Sequence, residues 1–495
     1  MAQETPASGA ERSLDPSDWT AFRALSHEML DVALDHVQGV RERPVWSPVP
    51  DEVKHALAEP VPMQAQGTAK ACSDLVQQVL PFVTGNTHPR FFGWVHGSGT
   101  PGGLIAELMS AAMNANLGGR DHGAIYVERQ IIDWCRQLFD FPSTASGLAV
   151  SGTSMATFIA LTVARYAKAG YDVRRRGVQP SEGPLVGYTS AEAHSCIART
   201  FDYMGLGQDA LRQIPVDNDY RMDIGALRRA IVEDLEAGNR PFCVVGTAAT
   251  VNTAAIDELD AIASISREHD LWFHVDGAFG AVAALSDTLK PRLKGIERAD
   301  SIAFDFHKWM HVQYDAGFVL VRREDLHREA FTLRREYLTA APRGLAGGNP
   351  WFCEYGPELS RGFRALKIWF ALKEHGVKRI AEKVEDNCRQ AQYLAQRVEA
   401  HPDLELSAPV SLNIVCFRFI APSRTEAELD GINRDIVMDL QESGIAAPST
   451  TTLEGKLAIR VNITNHRSQR EDFDVLVDAL VDTGRTLMSA YTRND

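Results

Sequence analysis

An alternation in the middle of the chain constrains the fold more than any other feature. Apolar, β-branched runs recur there (GLAVSGT, LVGYTS, FCVVGTAAT, LWFHVDG, SIAFDFH and AGFVLVRR), and helical patterns such as MATFIALTVARYAK, IGALRRAIVEDLEAG and ELDAIASISREH lie between them. Strands without polar alternation are buried on both faces, and strands separated by helices pair in parallel through crossovers. The expected fold class is therefore α/β, with a mostly parallel central sheet flanked by helices. Ahead of it, WTAFRALSHEMLDVALDHV and AKACSDLVQQVLPFV have helical spacing on either side of the Pro-rich linker RERPVWSPVP. They hold too little apolar material for a core of their own. Residues 1–90 thus read as a helical segment packing on a partner subunit, 91–375 as the large domain and 376–495 as a small C-terminal α/β domain built on LNIVCFRF and KLAIRVNIT. Residues 324–362, with RGLAGGNP, break the alternation and read as a long functional loop.

Bulk properties exclude several partners. A net charge of −14 over 495 residues argues against nucleic acid or an anionic membrane. No apolar run reaches the roughly 18 residues of a membrane span. The seven cysteines are scattered without C-x-x-C spacing, which fits a reducing compartment and argues against a disulfide framework or a thiolate zinc site; no metal is expected. MAQETPASGAERSLDP has no charged segment followed by an apolar one, so the expected location is cytoplasmic.

Ligands of open parallel sheets bind outside the carboxyl ends of the strands, and four of those ends carry chemistry. GLAVSGT closes on Ser151-Gly152-Thr153-Ser154 and runs straight into a helix, whose N-terminal amides favour an anion. LWFHVDG ends on Asp276, a carboxylate among apolar neighbours that needs a partner. TSAEAHS supplies His194, and SIAFDFHKW supplies His307 and Lys308. Each has a plain alternative: an N-cap, a helix-capping Asp, a loop histidine, a lysine escaping to solvent. Together they match the needs of one cofactor, pyridoxal 5'-phosphate. It requires an amine for its carbonyl, a carboxylate to keep its ring nitrogen protonated, a plane over the ring and a helix start for its phosphate. Gly205-x-Gly207-x-x-Ala210 has dinucleotide-fingerprint spacing but no convincing strand before it, and H-E-x-x-H, Walker A and G-x-S-x-G motifs are absent.

HPRFFGW, AVSGTSMAT, AEAHS, FHVDGAFG, DFHKW and SRGFRALKIW, in that order, resemble the group II pyridoxal-phosphate amino-acid decarboxylases, which include aromatic-L-amino-acid, histidine and glutamate decarboxylases. The resemblance implies a fold-type-I (aspartate-aminotransferase-like) homodimer with active sites shared between subunits. It also implies that Lys308 carries the cofactor, Asp276 partners its ring nitrogen, Ala278 packs beneath the ring and His194 stacks on it while orienting the substrate carboxylate. Thr153 and Ser154 correspond to the phosphate cradle, with His307 close by. Thr250 corresponds to a threonine near the ring substituents, and Ser360 to a position from which the partner reaches the phosphate. Tyr337, in REYLT, corresponds to the loop tyrosine that protonates Cα after carbon dioxide leaves; related aldehyde synthases commonly carry Phe there.

Two stretches depart from the family pattern. Asp305-Phe306 stands where many relatives have Asn-Pro, which makes Asp305 a further candidate cofactor contact. At the substrate wall, Trp94-Val95-His96 and Asn114 and Asn116 replace more apolar residues, so Trp94 and Asn114 join His194 as candidate substrate contacts. The expected activity is decarboxylation of an L-amino acid, aromatic by preference, to an amine and carbon dioxide. The alternatives are an aromatic aldehyde synthase and a decarboxylase of glutamate or diaminobutyrate.

Overall fold

The computed structural model describes residues 13–333, 341–422 and 424–491. By internal contacts the chain divides into two units: one runs to Arg43 and resumes over Ser47–Thr84, and the other comprises Pro44–Trp46 and Gly85–Asp495. The first is helical. Its main helix, Trp19–Gln38, starts where the Asp18 carboxylate accepts from the Thr20 and Ala21 amides, and none of its residues is buried.

The second unit holds two sheets. The larger contains β1 (Ser146–Val150), β2 (Leu185–Ser190), β3 (Leu211–Ile214), β4 (Arg240–Thr247), β5 (Trp272–Asp276), β6 (Ser301–Asp305) and β7 (Gly317–Val321) in the order β1-β7-β6-β5-β4-β2-β3. The strands from β3 to β6 pair in parallel, and β7 lies antiparallel between β6 and β1. Six strands therefore point one way and deliver their carboxyl ends to one edge, as the fold type I arrangement requires. The helices Thr153–Lys168, Ile224–Glu236 and Leu259–Glu268 fall on the patterns that predict them. The smaller sheet, β8 (Leu404–Leu406), β9 (Ile414–Phe419), β10 (Ser449–Leu453) and β11 (Lys456–Asn462), is antiparallel in the order β10-β11-β9-β8. It has its own core, with Phe417, Ile432, Ile459 and Phe473 fully buried.

Within 324–362, Glu324–Phe331 is a helix rather than loop; its buried His327 bonds Ser146 and the Tyr355 carbonyl. The SRGFR stretch is anchored by a buried ion pair. Arg361 meets Glu128 at 2.5 and 3.1 Å and donates to the Leu117 and Ala149 carbonyls, with both side chains 1 % exposed. Truncating one member strands the other charge, at a cost of about 3–5 kcal/mol. Arg361→Met is accordingly expected to lower the unfolding free energy from urea denaturation by an amount in that range; an unchanged value would show that the pair adds nothing. Among the described residues no helix is long and apolar enough to cross a membrane.

Candidate active site

Strand register builds the site. Gly317, at the start of β7, pairs with Val150 on one side and Asp305 on the other, so the last residues of β1 and β6 flank it. A Cβ at Gly317 would lie 2.3 Å from the Gly152 Cα, so the approach needs glycine. Gly152 has no side chain to cap the helix that starts at Thr153. The cap comes instead from β6: the Thr153 amide donates to Asp305 Oδ1 at 2.7 Å, and Lys308 Nζ meets Oδ2 at 2.8 Å. A carboxylate at a helix start is favoured by the helix dipole. This gives Asp305 a role the sequence left open, holding the end of β6 to the start of the helix that follows β1.

A cavity of about 520 Å³ opens at this edge. Its lining includes Trp94, Thr153, Ser154, His194, Asp276, Ala278, Asp305, His307 and Lys308, so nine of the sequence-predicted residues come together. Asn114, an exposed residue ending the helix Pro101–Met113, and exposed Ser360 do not line it. Thr250 does not either: its hydroxyl is used inside its own turn, bonding the Thr253 hydroxyl and the Ala255 amide. Thr247, at the end of β4 and in register with Asp276, lines the cavity in its stead. Tyr337 lies outside the described residues. His96, Cys196, Thr247 and Tyr314 complete features the sequence reading did not assign. Thr247 was within reach, since the last residue of a strand faces the ligand edge, whereas Tyr314 follows Lys308 in an irregular stretch without periodicity.

The electrostatics suit a cationic ring and an anionic group. Asp276 is 2 % exposed, and among the described residues the one hydrogen bond to its carboxylate comes from the Ala278 amide at 3.0 Å. Burial raises its pKa above the ordinary carboxylate value, only partly opposed by that amide and by the Lys308 charge. Burial also works against the charge of Lys308, but Asp305 outweighs it and holds the lysine pKa above normal. The charge beside the lysine amine is thus an anion, which favours its ammonium form. His194 is kept neutral by burial, with Asp276 opposing. The Cys196 amide donates to its Nδ1 at 3.2 Å, which puts the remaining proton on Nε2.

Pyridoxal 5'-phosphate fits these residues. The buried Thr153 and Thr247 hydroxyls have no hydrogen-bond partner among the described residues, and both line the cavity. At the helix start the Thr153 amide is taken by Asp305 and those of Met155 and Ala156 by the Gly152 carbonyl, which leaves the Ser154 amide for a phosphate, and Asp276 lacks only the cation its burial calls for.

Comparison with known proteins points the same way. The family described as "Pyridoxal-dependent decarboxylase conserved domain" matches residues 50–420. An aromatic-L-amino-acid decarboxylase from Bacillus atrophaeus is 32 % identical over 91 % of this chain and 93 % of its own. A phenylacetaldehyde synthase from Arabidopsis thaliana is 25 % identical over 92 % of this chain and 94 % of its own. The crystal structure of Oryza sativa TDC with PLP and tryptamine superposes with a TM-score of 0.88 at 24 % identity, covering 96 % of this chain and all of that one.

Proposed function

The chain belongs to the pyridoxal-dependent decarboxylases, and on that premise we propose that it converts a neutral aromatic L-amino acid into the corresponding amine and carbon dioxide. The observation that carries the substrate class is the character of the cavity wall. Trp94, His96 and Tyr314 offer ring faces, and Lys308 is the one Lys or Arg among the described lining residues. A side-chain carboxylate would find no cation to itself. A side-chain ammonium would find only Asp276 and Asp305, which the cofactor and the helix start engage.

In this reading Lys308 holds the cofactor at its aldehyde carbon, Asp276 at its ring nitrogen, and Thr153, Ser154 and the helix start at its phosphate, between Ala278 and His194. The bound cofactor supplies an electron sink for the pair left when the carboxylate departs. Asp276 keeps the ring nitrogen protonated. The Nε2–H of His194 donates to the substrate carboxylate and aligns it, and apolar Val95, Met155 and Phe279 help keep water out. Tyr337 would deliver a proton to the substrate Cα, and the Lys308 amine would displace the product amine by taking its place at the aldehyde carbon.

The active form is proposed to be a homodimer. Ile105, Leu108, Met109 and Met113 leave one apolar face of the helix Pro101–Met113 exposed, which a second copy would bury. Asn114 and Ser360 would then serve the partner's cavity, and residues 1–90 would pack on the partner. Seven free cysteines suit a cytoplasmic location.

A panel of aromatic, acidic and basic amino acids, assayed with the holoenzyme for carbon dioxide, amine and peroxide together, tests the reading. Equal yields of carbon dioxide and amine from aromatic substrates are expected. Turnover of glutamate or diaminobutyrate alone would refute the substrate class, and aldehyde with ammonia and peroxide would refute the product.

A further inference from the structure

We infer that Tyr314 is a specificity-determining residue whose phenol O–H hydrogen-bonds a hydroxyl group on the substrate's aromatic ring. The inference rests on the aromatic reading above and narrows it to ring-hydroxylated amino acids.

Tyr314 lies on the cavity wall with Trp94, His96 and Lys308, and 48 % of its surface is open. Its ring is held in place from two sides: His307 stacks at 4.4 Å and 35° between planes, and His96 meets it edge-on at 6.0 Å. Its backbone carbonyl accepts from Lys367 Nζ at 3.0 Å. A phenol fixed in this way loses little freedom when it binds a ligand.

Gly97 explains why this wall draws its polar atom from Tyr314. A Cβ at position 97 would fall 2.1 Å from the His307 carbonyl oxygen and 2.5 Å from that of Lys308, so no side chain fits there. Backbone packed this closely also bears on Tyr314, whose phenol pKa the Gly97 amide pulls down against the larger effect of burial. Among the described residues no protein acceptor takes the phenol's own proton, which leaves the O–H available to a ligand.

The surroundings select a neutral partner. Burial raises the Tyr314 pKa, so the phenol stays protonated through neutral pH. Burial, reinforced by the Lys308 charge, lowers that of His96, which is therefore a neutral imidazole. A neutral donor beside a neutral imidazole suits a hydroxyl, which both donates and accepts, better than a carboxylate or an ammonium.

The test compares wild-type and Tyr314→Phe holoenzymes on matched pairs, L-tyrosine with L-phenylalanine and 5-hydroxy-L-tryptophan with L-tryptophan. The readouts are kcat/KM for carbon dioxide release and, by calorimetry, the affinities for tyramine and phenethylamine. In Tyr314→Phe the hydroxylated member of a pair is expected to lose about tenfold in kcat/KM, while the other changes less than about twofold. Tyramine should weaken in parallel and phenethylamine should not. Equal losses on both members, no loss on either, or loss of the cofactor's visible absorbance would overturn the inference. A wild-type enzyme that turned over no aromatic amino acid would overturn the aromatic reading as well, and that result is visible without the variant.

Discussion

Replacing Lys308 with alanine is expected to abolish carbon dioxide release, by about four orders of magnitude or more, and to remove the visible absorbance of the bound cofactor. The argument rests on position. Lys308 is the one Lys or Arg among the described residues lining the cavity, and 22 % of its side chain remains accessible from it. Asp305 raises its pKa, so in the cofactor-free protein the amine is an ammonium held at 2.8 Å. Removing that ammonium also leaves Asp305 buried beside neutral His307, so the cofactor-free variant should unfold more easily. The cost lies below the about 3–5 kcal/mol of a fully buried pair, because part of the lysine is open to solvent. Lys308→Ala combined with Asp305→Asn removes the stranded charge and should recover thermal stability without recovering turnover. A double variant that regained activity, or a single variant that kept both its absorbance and its rate, would refute the assignment of Lys308. Structural damage alone predicts that stability and rate recover together.

Much of this site could be read from strand ends. Apolar runs stopped by Ser151-Gly152-Thr153, Asp276 and His307-Lys308 are visible in one dimension because the carboxyl edge of a parallel sheet collects whatever follows each run. Other parts depend on pairings that no local pattern carries. Asp305 acquires its partner because β7 runs antiparallel between β6 and β1 and brings Gly152 next to Gly317. An alternation of strands and helices does not announce that reversal. β3, LRQI, escaped because an edge strand four residues long buries only its first and last side chains. Thr247, rather than Thr250, lines the cavity for a finer reason. Both follow the apolar run of β4, but the chain turns after Thr247, and Thr250 spends its hydroxyl closing the turn. Family resemblance pointed to Thr250 alone, and no pattern in the sequence marks where the chain turns away from the cavity.

Asp276→Asn should separate catalysis from stability in opposite directions. In the proposed reading, the carboxylate would compensate the charge of a protonated ring nitrogen and an amide would not, so kcat is expected to fall about a thousandfold. In the cofactor-free protein the carboxylate is a liability. Burial raises its pKa in the folded state above the unfolded value, so the folded chain binds that proton more tightly. The stability it contributes is present below the unfolded pKa, where both states are protonated, and is lost as pH rises through the folded pKa. Cofactor-free Asp276→Asn should therefore be more stable than cofactor-free wild type at pH 8, and the gap should close as the pH is lowered toward the carboxylate range. Cofactor binding should reverse the order, because the cation it brings favours the ionised carboxylate of the wild type alone. Thermal denaturation of both proteins, with and without cofactor, at pH 5 and pH 8 reads all four comparisons. A cofactor-free variant less stable than wild type at pH 8 would mean that Asp276 is already paired within the protein, and its assignment to the ring nitrogen would fall.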